Sequence, residues 1–157
     1  MKRSLLFLLI PMLVIVSCEK KDEPAACPEV TATAAASEVV TLRNYIQANA
    51  IVAIEDPRGY FYRIENAGTG TAPTPCSNVT VDYVGKLTNG GTFDAGNNVS
   101  FNLSGLIKGW QLGIPRIATG GRIILYLPPS LGYGPNPQST IPGNSILIFE
   151  INLKAVR

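Results

Sequence analysis

Hydrophobic and polar positions change their period several times along this chain, and each change marks a segment. Ser4 to Ser17 is almost uninterruptedly apolar and follows a basic start, Met1-Lys2-Arg3. A membrane-spanning helix needs about 20 apolar residues. The shorter run, with Pro11 inside it, predicts a secretory signal peptide over residues 1–17. Residues 18–36 are first charged, Glu19-Lys20-Lys21-Asp22-Glu23, then rich in Ala, Thr and Pro. They predict a tether with a reach on the order of 25 Å. After Ser37, a candidate N-cap, Val39, Leu42, Tyr45 and Ile46 recur at helical spacing and predict an amphipathic helix within residues 37–50.

From Asn49 onward the period shortens. Tyr60 to Glu65, Val79 to Val84, Arg122 to Leu127 and Ser145 to Ala155 predict strands. Val79, Val81 and Tyr83 fall on one face, as do Leu147, Phe149, Ile151 and Leu153 opposite Glu150, Asn152 and Lys154. Asn66 to Pro75 reads as a loop and Asn89-Gly90-Gly91 as a turn, while Gly105 to Leu112 is a short helix carrying Trp110. The expected domain, residues 51–157, is α+β: a curved antiparallel sheet wrapped on a short α-helix, preceded by the N-terminal helix.

Composition narrows the class. With 46% hydrophobic and 15% charged residues the chain is too apolar to be disordered, and 15 Gly with 12 Pro are too many for a helical bundle. The formal charge of +2 is supplied by Lys2 and Arg3; without them 11 basic residues face 11 acidic ones. No nucleic-acid partner is therefore expected, nor general adhesion to anionic surfaces. The sequence has no histidine, which excludes a Ser-His-Asp triad, a Cys-His dyad and a histidine-ligated zinc. Three cysteines exclude a four-cysteine zinc site within one chain. Neither metal nor cofactor is expected.

The cysteines carry an address of their own. Val14-Ile15-Val16-Ser17-Cys18 resembles the bacterial lipobox. That resemblance implies cleavage before Cys18, a diacylglycerol on its thiol and an acyl chain on its new amine, which together make a stable anchor. The alternative is an ordinary signal peptide followed by a cysteine. Lys21-Asp22-Glu23 resembles, displaced by about one position, the tract that sends lipoproteins of some diderm bacteria to the cell surface. The expected location is the outer membrane, facing the periplasm or the exterior; the bland reading of the tract is a solvated spacer. Cys27 and Cys76 then remain, and in an exported chain they suggest a disulfide, two free thiols being the alternative.

The segment Val81-Asp82-Tyr83-Val84-Gly85-Lys86-Leu87-Thr88-Asn89-Gly90-Gly91-Thr92-Phe93-Asp94 carries the chemistry. It resembles the opening signature of the FKBP family of peptidyl-prolyl isomerases, V-x-Y-x-G-x-L-x-x-G-x-x-F-D, at every fixed position. Leu106-Ile107-Lys108-Gly109-Trp110 is similar to the family's V-I-x-G-W, Gly120-Gly121-Arg122 to G-G-K-R, and Leu131-Gly132-Tyr133-Gly134 to A-Y-G. Ile141-Pro142-Gly143-Asn144-Ser145-Ile146-Leu147-Ile148-Phe149 is similar to I-P-x-x-x-x-L-x-F. The motifs stand in family order between Gly59 and Val156.

The resemblance implies an FKBP-like fold and a cup of aromatic side chains, Tyr83, Phe93, Trp110, Tyr133 and Phe149, with Trp110 as its floor and Asp94 as its carboxylate. It implies substrate contacts from Leu106, Ile107 and Ile141, and from Val99, which replaces the first aromatic of a Phe-x-Phe pair ending at Phe101. The segments Gly134 to Thr140 and Asp94 to Phe101 are short for the family, and there is no room near Tyr133 for an inserted chaperone domain. The implied activity is isomerisation of X-Pro bonds in exported polypeptides, by a monomer whose partners are Pro-containing chains and the membrane that holds Cys18. A binding module with little turnover and a structural lipoprotein with an idle pocket are the alternatives. The nearly full aromatic set with Asp94 favours the isomerase.

Overall fold

The computed structural model describes residues 27–157. Helix α1 (Ala36–Ala48) leads into strands β1 (Ile54–Glu55), β2 (Phe61–Asn66), β3 (Asn78–Leu87) and β4 (Thr92–Asn102). Helix α2 (Lys108–Gly113), β5 (Arg122–Leu127) and β6 (Leu147–Val156) complete the order. The strands form one six-stranded sheet in the order β1-β2-β5-β6-β3-β4, with every neighbouring pair antiparallel. Central β6 pairs with both β5 and β3 and alternates as its sequence does: Leu147, Phe149, Ile151 and Leu153 are buried, and Lys154 is exposed.

The two faces of the sheet bury different things. One closes on α2 and joins Trp110, Leu112 and Ile114 to Val79, Val81, Leu125 and the inward row of β6. Gly109 lets α2 approach that closely, because a Cβ there would run into the side chain of Leu127. A second cluster sets Leu42 and Ile46 of α1 on Phe61, Ile124 and Tyr126. Burying such side chains contributes roughly 1.5–3 kcal/mol each, and it is this packing that holds so short an N-terminal helix in place.

Three expectations need correction. Ser37 is not the N-cap of α1: the cap is Ala35, with no side-chain hydrogen bond, and Ser37 lies in the first turn with its carbonyl accepting from Thr41 Oγ1 at 3.0 Å. The start is set instead by extended backbone ahead of the helix, where Ala34 N–H donates to Arg58 O at 2.8 Å. Second, residues 27–35 are not a free tether. Val30, Ala32 and Ala34 are half-buried against the core while Thr31 and Thr33 point out, a period-two pattern legible in the sequence. Third, β4 continues the β3 hairpin for eleven residues where the sequence suggests no strand. It is an edge strand, mostly exposed, with Asn98 at φ 54° and a register shift opposite Val81 and Tyr83, so no hydrophobic period announces it.

Candidate active site

The side chains of interest come from six places in the fold. Tyr83 rises from β3, Asp94 and Phe101 from β4, Trp110 from α2 and Phe149 from β6. Leu106 and Ile107 come from the link before α2, and Tyr133 from the loop after β5. Together with Gly105 they line one cavity of about 280 Å³. Trp110, only 4% exposed, is the hub. Its ring meets those of Tyr83, Phe101 and Phe149 edge to face, at centroid distances of 5.2, 5.9 and 5.3 Å and angles of 82–87°. This is the arrangement the aromatic quadrupole favours. Gly85 makes room behind it, since a Cβ there would lie 2.6 Å from the Phe93 ring and 3.0 Å from that of Phe149.

The polar groups of the cavity are few and unequal. The Tyr83 hydroxyl donates to Asp94 Oδ2 at 2.7 Å. Burial, then that hydrogen bond and the charge of Asp94, push the Tyr83 phenol up to about 12. Burial first and the Asp94 charge second also raise the Tyr133 phenol above its ordinary value. Among the described residues the Tyr133 hydroxyl and the Ile107 N–H have no protein partner. The buried Trp110 Nε1 likewise has none. The cavity thus combines an apolar wall with unspent hydrogen-bond donors, an arrangement suited to holding the carbonyl groups of a peptide.

The predicted residues divide. Tyr83, Asp94, Leu106, Ile107, Trp110, Tyr133 and Phe149 come together in the lining. Phe93 stands behind it, edge to face with Phe149 at 5.5 Å. Val99 is half-buried beside Gly96, which also abuts the Tyr83 ring, and is not among the lining residues. Ile141, 8% exposed, joins the core, drawn in by a tight turn in which Ile141 and Gln138 exchange backbone hydrogen bonds at 2.8 and 3.0 Å. Cys27 and Cys76 are joined by a disulfide with Cα atoms 5.8 Å apart, away from the cavity. Cys18 lies outside the described residues.

Two contributors were not singled out by sequence reasoning. Phe101 is a wall of the cup; the signal was its place in the Phe-x-Phe pair. Gln111 is 4% exposed and donates through Nε2 to Ser104 O at 3.1 Å and Leu106 O at 2.7 Å, fixing the link that carries Leu106 and Ile107. A glutamine next to a tryptophan in a short helix gives no sequence signal of such a role. A larger groove, about 640 Å³, runs between α1 and Pro142–Ile146, but no aromatic side chain lines it.

Residues 70–154 match the family described as FKBP-type peptidyl-prolyl cis-trans isomerase. The FKBP-type peptidyl-prolyl cis-trans isomerase FkpA of Escherichia coli (strain K12) is 41% identical over 103 residues, 63% of this chain and 38% of that protein. The peptidyl-prolyl cis-trans isomerase Mip of Coxiella burnetii is 39% identical over 104 residues, 63% of this chain and 45% of that protein. The alignments therefore span less than half the length of these relatives. The crystal structure of Escherichia coli FkpA superposes with a TM-score of 0.70 at 36% identity, covering 78% of this chain and 61% of that one. A peptidyl-prolyl cis-trans isomerase from Pseudomonas syringae pv. tomato gives 0.68 at 28% identity, covering 76% and 93%.

Proposed function

The chain belongs to the FKBP-type peptidyl-prolyl cis-trans isomerase family, and from that premise we propose that it catalyses cis-trans isomerisation of X-Pro bonds in exported polypeptides. The observation that carries the reading is the set of aromatics, Tyr83, Phe101 and Phe149, packed edge to face on Trp110, with two unspent donors, Ile107 N–H and Tyr133 OH, at the cavity.

Rotation about an X-Pro bond is slow because the amide must lose its resonance, a barrier of ~18–20 kcal/mol. The planar amide is the more polar species; the twisted transition state has less charge on oxygen and nitrogen. A dry wall of Tyr83, Phe101, Trp110 and Phe149 around the prolyl ring disfavours the first relative to the second. Ile107 N–H and Tyr133 OH donate to flanking carbonyls, so that the chain on one side is held while the other turns. Asp94 engages the Tyr83 hydroxyl and fixes that ring against Trp110. The residues of the cup are sufficient for this step without a nucleophile or a proton transfer. Each ~1.4 kcal/mol removed from the barrier gives a tenfold rate.

The same reading extends to place and state. The catalytic unit is a single chain, because one chain supplies the whole lining. Cleavage before Cys18 and acylation anchor it in the outer membrane, with residues 19–26 left as spacer; the lipobox-like Val14 to Cys18 supports this, and Lys21-Asp22-Glu23 supports a surface-directed route. The activity is tested on the soluble chain from Glu19 to Arg157, which should accelerate cis-to-trans conversion of X-Pro peptides and be inhibited by a macrolide of the FKBP-binding type. No acceleration at micromolar protein would refute it. Cys18→Ser should release the protein from membranes and abolish fatty-acid labelling; unchanged fractionation would remove the anchor.

A further inference from the structure

Tyr133 poses a positional problem. The residue is 40% exposed and its hydroxyl meets no partner among the described residues, so nothing at its tip fixes it in the cup. Its place must come from the backbone. Just ahead of it is a 3-10 turn, Pro129–Leu131. Pro129 O accepts from both neighbours of Tyr133, Gly132 N–H and Gly134 N–H, each at 2.9 Å. Wherever that turn sits, Tyr133 sits with it.

Leu131, fully buried, holds one end of the turn. The other end is held from 92 residues away, by Glu38 in the first turn of α1. Glu38 Oε2 accepts from Ser130 N–H at 3.0 Å and from Ser130 Oγ at 2.5 Å. A carboxylate taking a free N–H at the start of a helical turn is a capping contact, here charge-assisted and supplied by a different element. Its base is firm, because Leu42 and Ile46 are buried on the sheet and Arg43 is paired with Glu55. All of α1 lies outside the residues 70–154 that match the family.

We propose that Glu38 is a positioning residue of the active site: through Ser130 it sets the turn that presents Tyr133, which makes the N-terminal helix a working part of the isomerase. The functional half of this rests on the isomerase reading; the structural half does not. Glu38→Ala and Glu38→Gln separate the idea from plain loss of charge. Both remove the favourable charge at the helix N-terminus equally, but only Gln keeps a side-chain oxygen able to accept from Ser130.

The test uses the full chain and two readouts. In amide-resolved hydrogen exchange, Glu38→Ala should speed the Gly132 and Gly134 amides by about tenfold, with Glu38→Gln close to the parent, the scale of one lost charge-assisted bond. In X-Pro isomerisation, Glu38→Ala should lower kcat/KM by up to about threefold, no more than Tyr133→Phe itself does, and Glu38→Gln by less, as expected for a misplaced catalytic group. In a Tyr133→Phe background Glu38→Ala should add little further loss, because the two act through one hydroxyl. Ser130→Ala, which removes the Oγ bond alone, should give a smaller effect of the same sign and serves if Glu38→Ala fails to fold. Unchanged exchange at Gly132 and Gly134 in these variants overturns the proposal, as does full additivity with Tyr133→Phe. A parent chain with no isomerase activity overturns the functional reading, and the exchange data still decide whether Glu38 sets the turn.

Discussion

Two groups of tyrosines and a carboxylate are built into this fold, and they are used in opposite ways. In one, Arg116 donates through Nε to the Tyr60 hydroxyl at 2.6 Å, through one terminal nitrogen to Tyr62 at 3.0 Å, and through the other to Asp56. Its guanidinium also lies 4.3 Å from the centroid of the Tyr62 ring. Asp56, 2% exposed, further accepts Arg58 N–H at 2.8 Å, and the Tyr60 hydroxyl donates to Leu112 O at 3.3 Å. Nearly every polar atom is answered within the chain. In the other group Asp94 is exposed, has no ion-pair partner among the described residues, and takes only the Tyr83 hydroxyl, while Tyr133 keeps its own hydroxyl free. Closed networks stabilise; a network with vacant hydrogen bonds can bind. The same side-chain types serve both ends, and what separates them is whether a cation was placed to complete the set.

The contrast breaks most visibly at Asp56. Asp56→Ala leaves Arg116 without its carboxylate and should lower stability by about 3–5 kcal/mol, read from urea midpoints, with kcat/KM per folded molecule unchanged. If stability holds and turnover falls, the closed network is the functional one. The disulfide borders the same region, sharing a groove with Arg58 and Arg116. Replacing Cys27 and Cys76 together by serine should therefore cost about 2–4 kcal/mol, given the length of chain enclosed, again without loss of turnover per folded molecule.

On the open side the ratio of effects reverses. Asp94→Ala should change stability by about 1 kcal/mol or less, since the lost hydrogen bond is exposed, yet lower kcat/KM about tenfold, ~1.4 kcal/mol. Tyr133→Phe should cost under about 1 kcal/mol of stability and weaken turnover by about threefold; a variant that unfolds while turnover per folded molecule stays constant would make Tyr133 structural. The smallest effect is spectroscopic. Because the Tyr83 phenol is raised to about 12 when folded, against about 10 unfolded, its contribution to stability is complete below pH 10 and declines as pH rises from 10 to 12. Asp94→Asn should lower its ultraviolet titration midpoint only in part, because burial is the larger cause. A return to the ordinary value would show that the Asp94 charge, and not the dry wall, governs the cup.

Much of this was legible beforehand, and unevenly. The strands β3 and β6, with the buried row Leu147, Phe149, Ile151 and Leu153, follow from alternation, because one face of each lies in the core; β2 and β5 are legible instead as runs of aromatic and aliphatic residues, β5 being buried on both faces. The signature around Tyr83, Asp94 and Trp110 carried most of the lining with it. Edge strand β4 was not legible: its exposed residues leave no period, and its pairing is dictated by β3. Ile141 and Val99 could not be separated from lining residues by type alone, since a valine or isoleucine reads the same in a pocket wall and in a core. The network of Asp56, Tyr60, Tyr62 and Arg116 leaves no sequence signal, because up to 60 residues separate the partners.

The sequence by itself therefore determined the class of fold, the family, the aromatic inventory of the cup and the absence of histidine chemistry, since each of these is written in local period or residue identity. Tertiary structure alone decided which hydrogen bonds are completed and which stay vacant. It brought Arg116 to Asp56 and, among the described residues, no cation to Asp94, laid residues 27–35 on the core, and set Glu38 against Ser130. Such pairings join residues that are dozens of positions apart, and a hydrogen bond exists only within about 3 Å, a proximity that packing of α1, α2 and the sheet creates and local sequence does not encode.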